Sequence, residues 1–221
     1  MIRPGEDRLL IFDCDGVLVD SEPLANRVLN DALNRLGIEI GLEESTAKFT
    51  GLSMGSCMAL AEDMLGRRLP DTFATDLERQ TAAAFTRSLK PVTGVTSLLE
   101  DIEHPRCVAS SGSHAKIRNS LKLTGLSRWF PDRALFSADD VNRGKPAPDL
   151  FLLAARRLGF PVSRCVVIED SVPGVMAAVA AGMHVYGYAE RTPPRQLRAA
   201  GATVFTRMHE LAELLAERPG G

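Results

Sequence analysis

The chain has 221 residues, 45% of them hydrophobic and 24% charged, with a mean hydropathy of -0.02; this ordinary globular composition excludes fibrous and disordered classes. A formal net charge of -2 and an isoelectric point near 6.1 supply no overall basic field, so neither nucleic acid nor an anionic membrane is an expected partner. The first residues lack an apolar signal segment and no apolar run reaches bilayer length, so we expect a cytoplasmic protein, monomer or small homo-oligomer, acting on small molecules.

The first element is the apolar run Leu9-Leu10-Ile11-Phe12, ending abruptly in Asp13-Cys14-Asp15-Gly16, as expected of a strand buried on both faces of a parallel sheet. Apolar residues at helical spacing from Leu24 to Leu36, stopped by Gly37, predict an amphipathic helix. From about 43 to 90 the patterns are helical only, which predicts a helical insert. Alternation follows: a helix over 95–99, a strand at 107–109, a helix over 113–123 and a short strand near 135–136. It continues with a helix over 149–158, a strand at 165–168, a helix over 173–181 stopped by Gly182, and strands near Val185 and Val204. The expected fold is α/β: a doubly wound parallel sheet, Rossmann-like, interrupted by the insert. Its core is residues 1–17 with 91–221, and the insert is residues 18–90.

Open α/β sheets bind ligands at the carboxyl ends of their strands. Those positions hold Asp13 and Asp15 after the first strand, Ser110 and Ser111 after the second, and Glu169 and Asp170 after Val166-Val167-Ile168. Any one acidic residue at a strand end is more simply a helix cap or a solvated turn, but coincidence across strands weakens that reading. Spacing i, i+2 points Asp13 and Asp15 to the same side of extended backbone, and Gly16 lets the chain turn away. Like charges gathered so closely call for a hard divalent cation such as Mg2+. Ser110-Ser111-Gly112-Ser113, a hydroxyl followed by backbone N–H groups at a helix start, is a sound phosphate cradle. Gly144-Lys145-Pro146 lacks the glycines and following hydroxyl of a nucleotide-binding P-loop; beside acids and a phosphate, Lys145 would instead balance charge.

Cys14, Cys57, Cys107 and Cys165 are scattered without metal or disulfide spacing and are read as reduced structural thiols. Acidic neighbours disfavour a thiolate at Cys14. The four histidines, His104, His114, His184 and His209, also lack ligand spacing.

These residues resemble the motifs of the haloacid dehalogenase-like hydrolase superfamily, in family order. Asp13-Cys14-Asp15-Gly16 matches the first, Ser110 the second, Gly144-Lys145-Pro146 the lysine motif and Glu169-Asp170 the acidic one. The resemblance spans about residues 9–187 and makes the insert the family's helical cap, with Thr50-Gly51-Leu52-Ser53 where such caps reach the site. It implies that Asp13 attacks phosphorus to form an aspartyl-phosphate and that Asp15 protonates the leaving group and then activates water. It also implies that Ser110 and Lys145 hold phosphoryl oxygens, and that Gly16, Ser111, Gly112, Thr50 and Gly51 line the phosphate or substrate. Mg2+ would take oxygens from Asp13, Asp15 and Asp170, with Glu169 acting through water.

The implied substrate is a small phosphorylated metabolite of sugar phosphate or phosphogluconate type. Dehalogenase members do without the second aspartate that Asp15 supplies. A β-phosphoglucomutase-like activity is the nearest rival, but Ala25 and Met54 stand where that mutase carries a histidine and a second-phosphate arginine. A receiver-like signalling module or a non-catalytic phosphate-binding module is the alternative from another class. The first needs only about half this length, and the second has no use for the acidic set with Lys145.

Overall fold

The structure is a computed structural model in which residues 8–50, 52 and 54–216 are described. The elements are β1 (Leu9–Phe12), α1 (Glu22–Arg35), α2 (Leu42–Phe49), α3 (Met54–Leu65), α4 (Phe73–Ser88), α5 (Val95–Asp101), β2 (Arg106–Ser110), α6 (His114–Leu123), β3 (Leu135–Ser137), α7 (Asp149–Leu158), β4 (Cys165–Glu169), α8 (Val172–Ala180), β5 (His184–Tyr188), α9 (Pro194–Ala200), β6 (Thr203–Phe205) and α10 (Met208–Ala216). They form two compact units: Met1–Val19 with Lys90–Gly221, and Asp20–Leu89. No helix among the described residues is long and apolar enough to cross a membrane.

The first unit is built on a six-stranded sheet of order β3-β2-β1-β4-β5-β6 in which every pairing is parallel. The doubly wound α/β expectation holds. Central β1 is apolar throughout because both faces are covered, and its four residues are at most 1% exposed. Leu9 and Ile11 join Cys107, Val167, Phe151 and Val175 in one core cluster. On the other face the Phe12 ring meets Phe130 edge-on, with centroids 6.0 Å apart.

The strand order reverses at β1: the chain moves outward to β2 and β3, then returns to β4 on the opposite side. Residues that follow β1, β2 and β4 therefore share one edge at the switch point, where α/β sheets open a binding crevice. After β1 the backbone turns tightly. The Gly16 N–H donates to the Val19 carbonyl at 2.9 Å, and those of Leu18 and Val19 both donate to the Cys14 carbonyl at 3.0 Å. Val92 N–H donates to the Leu18 carbonyl at 3.0 Å, tying the strand's exit to the segment that leads into α5.

The second unit is helical, α1 to α4. Its core holds Ala32, Leu33, Phe49, Phe73 and Leu77, which the helical periodicity turns to one side of each helix, with Ile38 from the loop after α1. Buried Asn30 and neighbouring Asn34 each donate to the Ile40 carbonyl at 2.9 Å, which secures the turn after α1.

Two helices of the first unit went unpredicted. The short α9 has Leu197 as its one buried residue and so shows no apolar periodicity. In α10, Met208, Leu211 and Leu215 are buried at i, i+3, i+7 spacing, a helical signature beyond the last strand that the sequence reading passed over.

Candidate active site

Asp13 leaves β1 with its N–H donating to the Ile168 carbonyl at 2.9 Å, so its backbone still belongs to the ladder with β4. Its side chain meets Lys145, which extends from the loop before α7. The Lys145 ammonium donates to Asp13 Oδ1 at 2.5 Å, to Glu169 Oε1 at 2.7 Å and to the Ala109 carbonyl at 3.0 Å. It also stands 5.0 Å from the Phe151 ring centroid. With the lysine side chain only 4% exposed, these partners replace water around the charge.

Burial pushes the Asp13 carboxyl up from 3.8 to about 7; Lys145 pulls against that, while Glu169 and Asp15 add to it. For Lys145 burial works against the charge, but Asp13 and Glu169 outweigh it and hold the ammonium above its ordinary range.

Glu169 ends β4, and both of its oxygens are engaged. Oε1 takes Lys145, while Oε2 accepts from Ser171 N–H and Ser171 Oγ, each at 2.8 Å. Ser171 is also the N-cap of α8, accepting from Gly174 N–H at 3.1 Å. The resemblance counts Glu169 among the metal-binding carboxylates. Its protein partners are Lys145 and the start of α8, which presents N–H and O–H donors to it at short range. Asp170 lies on the other side. A Cβ built on Gly16, whose φ is +79°, would fall 2.0 Å from Asp170 Oδ2, so that carboxylate rests directly on the turn after Asp15.

Ser110 ends β2 and is buried, and its Oγ accepts from Gly112 N–H at 3.1 Å. Ser111 follows in the same loop, exposed. The loop is held from β3: Ser137 Oγ donates to the Gly112 carbonyl at 2.7 Å, and Asp139 Oδ2 accepts from His114 N–H at 3.3 Å. The His114 ring meets Asp140 at 2.9 Å. None of these partners from β3 and the turn that follows it was foreseen, and His114 was assigned no part.

A second cation also went unforeseen. Lys116, in the first turn of α6, donates from Nζ to Asp15 Oδ2 at 2.7 Å. Burial opposes its charge, but Asp15 outweighs burial and raises its pKa.

One edge thus gathers Asp13, Asp15, Gly16, Ser110, Gly112, Lys145, Glu169 and Asp170. Thr50 belongs to the helical unit, at the end of α2, where its Oγ1 accepts from Asn26 Nδ2 at 3.4 Å. Gly51 lies outside the described residues. Burial, then Asp15 and Asp13, push the Cys14 thiol well above its usual value, which suits a structural role.

Four carboxylates, Asp13, Asp15, Glu169 and Asp170, gather at this edge with two ammonium groups, Lys145 and Lys116. Burial is the main cause of the raised Asp13 pKa, and the neighbouring Glu169 and Asp15 add to it. Hard oxygen donors with this charge fit a divalent cation such as Mg2+. Among the described residues no three acidic, His or Cys side chains enclose an ion by themselves. Magnesium sites commonly draw on few carboxylates, completed by backbone, water and phosphate oxygens.

Comparison with known proteins agrees with this geometry. A family model described as haloacid dehalogenase-like hydrolase matches residues 8–182. The chain is 32% identical over 210 residues to the 6-phosphogluconate phosphatase of Escherichia coli K12, covering 95% of each protein. Among solved structures, it resembles a conserved haloacid dehalogenase-like protein of unknown function from Agrobacterium tumefaciens C58, with 35% identity, a TM-score of 0.86 and coverage of 95% and 98%. A haloacid dehalogenase family hydrolase from Deinococcus radiodurans R1, with bound phosphate and sodium, matches with 31% identity, a TM-score of 0.82 and 96% coverage of both chains. The chain belongs to the haloacid dehalogenase-like hydrolase family.

Proposed function

We propose that this hydrolase cleaves the phosphoric monoester of a small metabolite, a sugar phosphate or phosphogluconate, through an aspartyl-phosphate on Asp13. The observation that carries the reading is the buried ammonium of Lys145 between Asp13 and Glu169, at 2.5 and 2.7 Å, with Asp15 two residues on. That pairing keeps one Asp13 oxygen engaged and its carboxylate oriented, as nucleophilic attack on phosphorus requires.

In the first half-reaction an Asp13 oxygen bonds to phosphorus as the ester P–O bond breaks, and protonated Asp15 delivers its proton to the departing alkoxide. In the second, Asp15 takes a proton from water as the water oxygen attacks phosphorus. The bond to Asp13 breaks and orthophosphate leaves. Ser110 Oγ and the N–H groups of Ser111 and Gly112 are assigned to the phosphoryl oxygens, with Lys145 balancing their charge. Glu169 acts by holding Lys145. Asp13, the Asp15 carbonyl and Asp170 are the oxygens assigned to Mg2+, which when bound offsets the phosphoryl charge. We assign this chemistry to the α/β unit and substrate selection to the helical unit as the cap, with Thr50 and Gly51 among its candidate contacts. The 6-phosphogluconate activity named for the Escherichia coli relative supports the substrate class.

The test is phosphate release from sugar phosphates, phosphogluconate, phosphoglycolate and β-glucose 1-phosphate, with and without Mg2+. Metal-dependent release from one or a few compounds, abolished in a folded Asp13→Asn variant, is expected. Isomerisation of β-glucose 1-phosphate would move the protein to the mutases, and full activity in Asp13→Asn would overturn the mechanism.

A further inference from the structure

The Lys116–Asp15 contact has no place in the motifs that carry the family resemblance. Lys116 lies in the first turn of α6, where the positive end of the helix disfavours a cation and where no acidic residue offsets it. Its backbone N–H donates to the N-cap hydroxyl of Ser113 at 3.3 Å, so its Cβ position is set by the cap. Helical side chains lean toward the N-terminus, which sends this one back over the Ser110–Gly112 loop. Its stem passes so near Gly112 that a Cβ there would stand 3.1 Å from Lys116 Cδ. The stem's end reaches Asp15 Oδ2 at 2.7 Å, across 101 positions of sequence. An unfavourable helix position, a cap and a glycine that clears the path converge on one contact, and its partner is the group assigned to proton transfer.

We propose that Lys116 is a positioning residue that fixes the Asp15 carboxylate for the hydrolytic half-reaction. With Oδ2 held by the ammonium, the carboxylate keeps one rotamer after the leaving group has gone. It is then aligned to take the proton from water as the water oxygen bonds to phosphorus and the phosphorus bond to Asp13 breaks. Protonated Asp15 is the form that the next substrate needs. The inference rests on the reading of Asp13 and Asp15 given above.

The effect belongs to the second half-reaction, which separates it from substrate binding. Slower breakdown of the phosphoenzyme lowers kcat and KM together and leaves kcat/KM nearly constant. The pair is partly solvent-exposed, 43% at the lysine and 27% at the aspartate, so its loss should barely change thermal stability.

The experiment uses the full chain with Mg2+ and whichever phosphate ester gives the fastest turnover. It compares wild type, Lys116→Met, Lys116→Arg, Asp15→Asn and the Lys116→Met/Asp15→Asn double variant. Labelled phosphoenzyme is trapped by acid quench, and its decay is followed after a chase. For Lys116→Met we expect decay slowed about tenfold or more, with kcat and KM falling in parallel. We also expect a higher steady-state level of phosphoenzyme, an unchanged melting temperature, substantial recovery in Lys116→Arg and no further loss in the double variant. Unchanged decay in Lys116→Met overturns the inference. So does a raised KM at constant kcat, which would make Lys116 a substrate contact, or an equal loss on the Asp15→Asn background. Full activity in Asp15→Asn alone overturns the underlying assignment of Asp15, an outcome distinct from wild-type behaviour in Lys116→Met beside a crippled Asp15→Asn.

Discussion

Replacing Gly174 with alanine tests whether Glu169 is the support on which Lys145 stands. A Cβ at position 174 would lie 1.8 Å from Glu169 Oε1, 1.9 Å from Cδ and 2.4 Å from Oε2. All three atoms belong to a carboxylate only 1% exposed, with hydrogen bonds to Lys145 and Ser171. The collision has no flexible end to absorb it, and the carboxylate must leave its partners. Disrupting a buried ion pair costs about 3–5 kcal/mol, while exchanging glycine for alanine in a helix returns about 1 kcal/mol. The balance is a loss of roughly 2–4 kcal/mol, which for a chain of this size lowers Tm by roughly 5–15 °C. Circular dichroism melts of Gly174→Ala, with Gly41→Ala as the control, read this directly. Gly41, the N-cap of α2, has φ of -70° and no atom within 4 Å of a built Cβ, so its replacement meets no clash and should lower Tm far less than Gly174→Ala does. At a temperature where Gly174→Ala is still folded, phosphate release should fall about tenfold or more, because Lys145 has lost the carboxylate that orients it. A variant with wild-type Tm and rate would mean that Glu169 does not occupy the space described, and the support role would fall with it.

Three further outcomes follow from the same edge. Gly16→Ala forces a side chain into a backbone region that favours glycine, at φ +79°, and sets its Cβ 2.0 Å from Asp170 Oδ2; we expect turnover to be lost and Mg2+ binding, measured by calorimetry, to weaken at least about tenfold. In metal-free protein the Asp13 carboxyl binds its proton more tightly when folded, at about 7 against an ordinary 3.8. Its contribution, on the order of 4 kcal/mol, is therefore complete below about pH 4 and lost as pH rises through about 7. Melts across this range should show that loss in wild type, not in Asp13→Asn, and show it diminished by Mg2+; identical pH dependence in both proteins would refute it. Ser137→Ala removes the hydroxyl that donates to the Gly112 carbonyl at 2.7 Å, so urea unfolding should report a loss of about 1–3 kcal/mol, and KM for the phosphate ester should rise.

The sheet was legible because its central strands are covered on both faces. Leu9–Phe12, Cys107–Ala109 and Cys165–Ile168 are unbroken apolar runs with almost no exposure, and such runs end where acidic or hydroxyl side chains begin. Asp13 with Asp15, and Glu169 with Asp170, are near neighbours in the chain, so their gathering at strand ends could be read locally. The short α9 offered no comparable signal. A single buried leucine gives a helix no period to detect, and its path is set by packing against β5, where Gly187 leaves room for Leu197 and Ala202.

Lys145 beside the nucleophilic carboxylate was expected from the sequence, but the second pairing within the site was not. Lys145 reaches Asp13 across 132 positions and Lys116 reaches Asp15 across 101. Which lysine faces which carboxylate depends on the strand order around β1 and on the rotational phase of α6. Neither is written in any local pattern. Glu169 shows the consequence: it stands beside Asp170 in sequence, and alternation along the end of β4 sends the two side chains different ways. One turns to the donors at the start of α8 and to Lys145, the other to Gly16. The signals that could have anticipated the division were glycines and a misplaced charge. Gly174 three residues after Ser171 leaves a gap for a carboxylate, and Lys116 stands in a helical turn that electrostatics alone would fill with acid. Where a residue breaks the rule of its own element, its reason lies in a partner from another. For Lys116 that partner is Asp15.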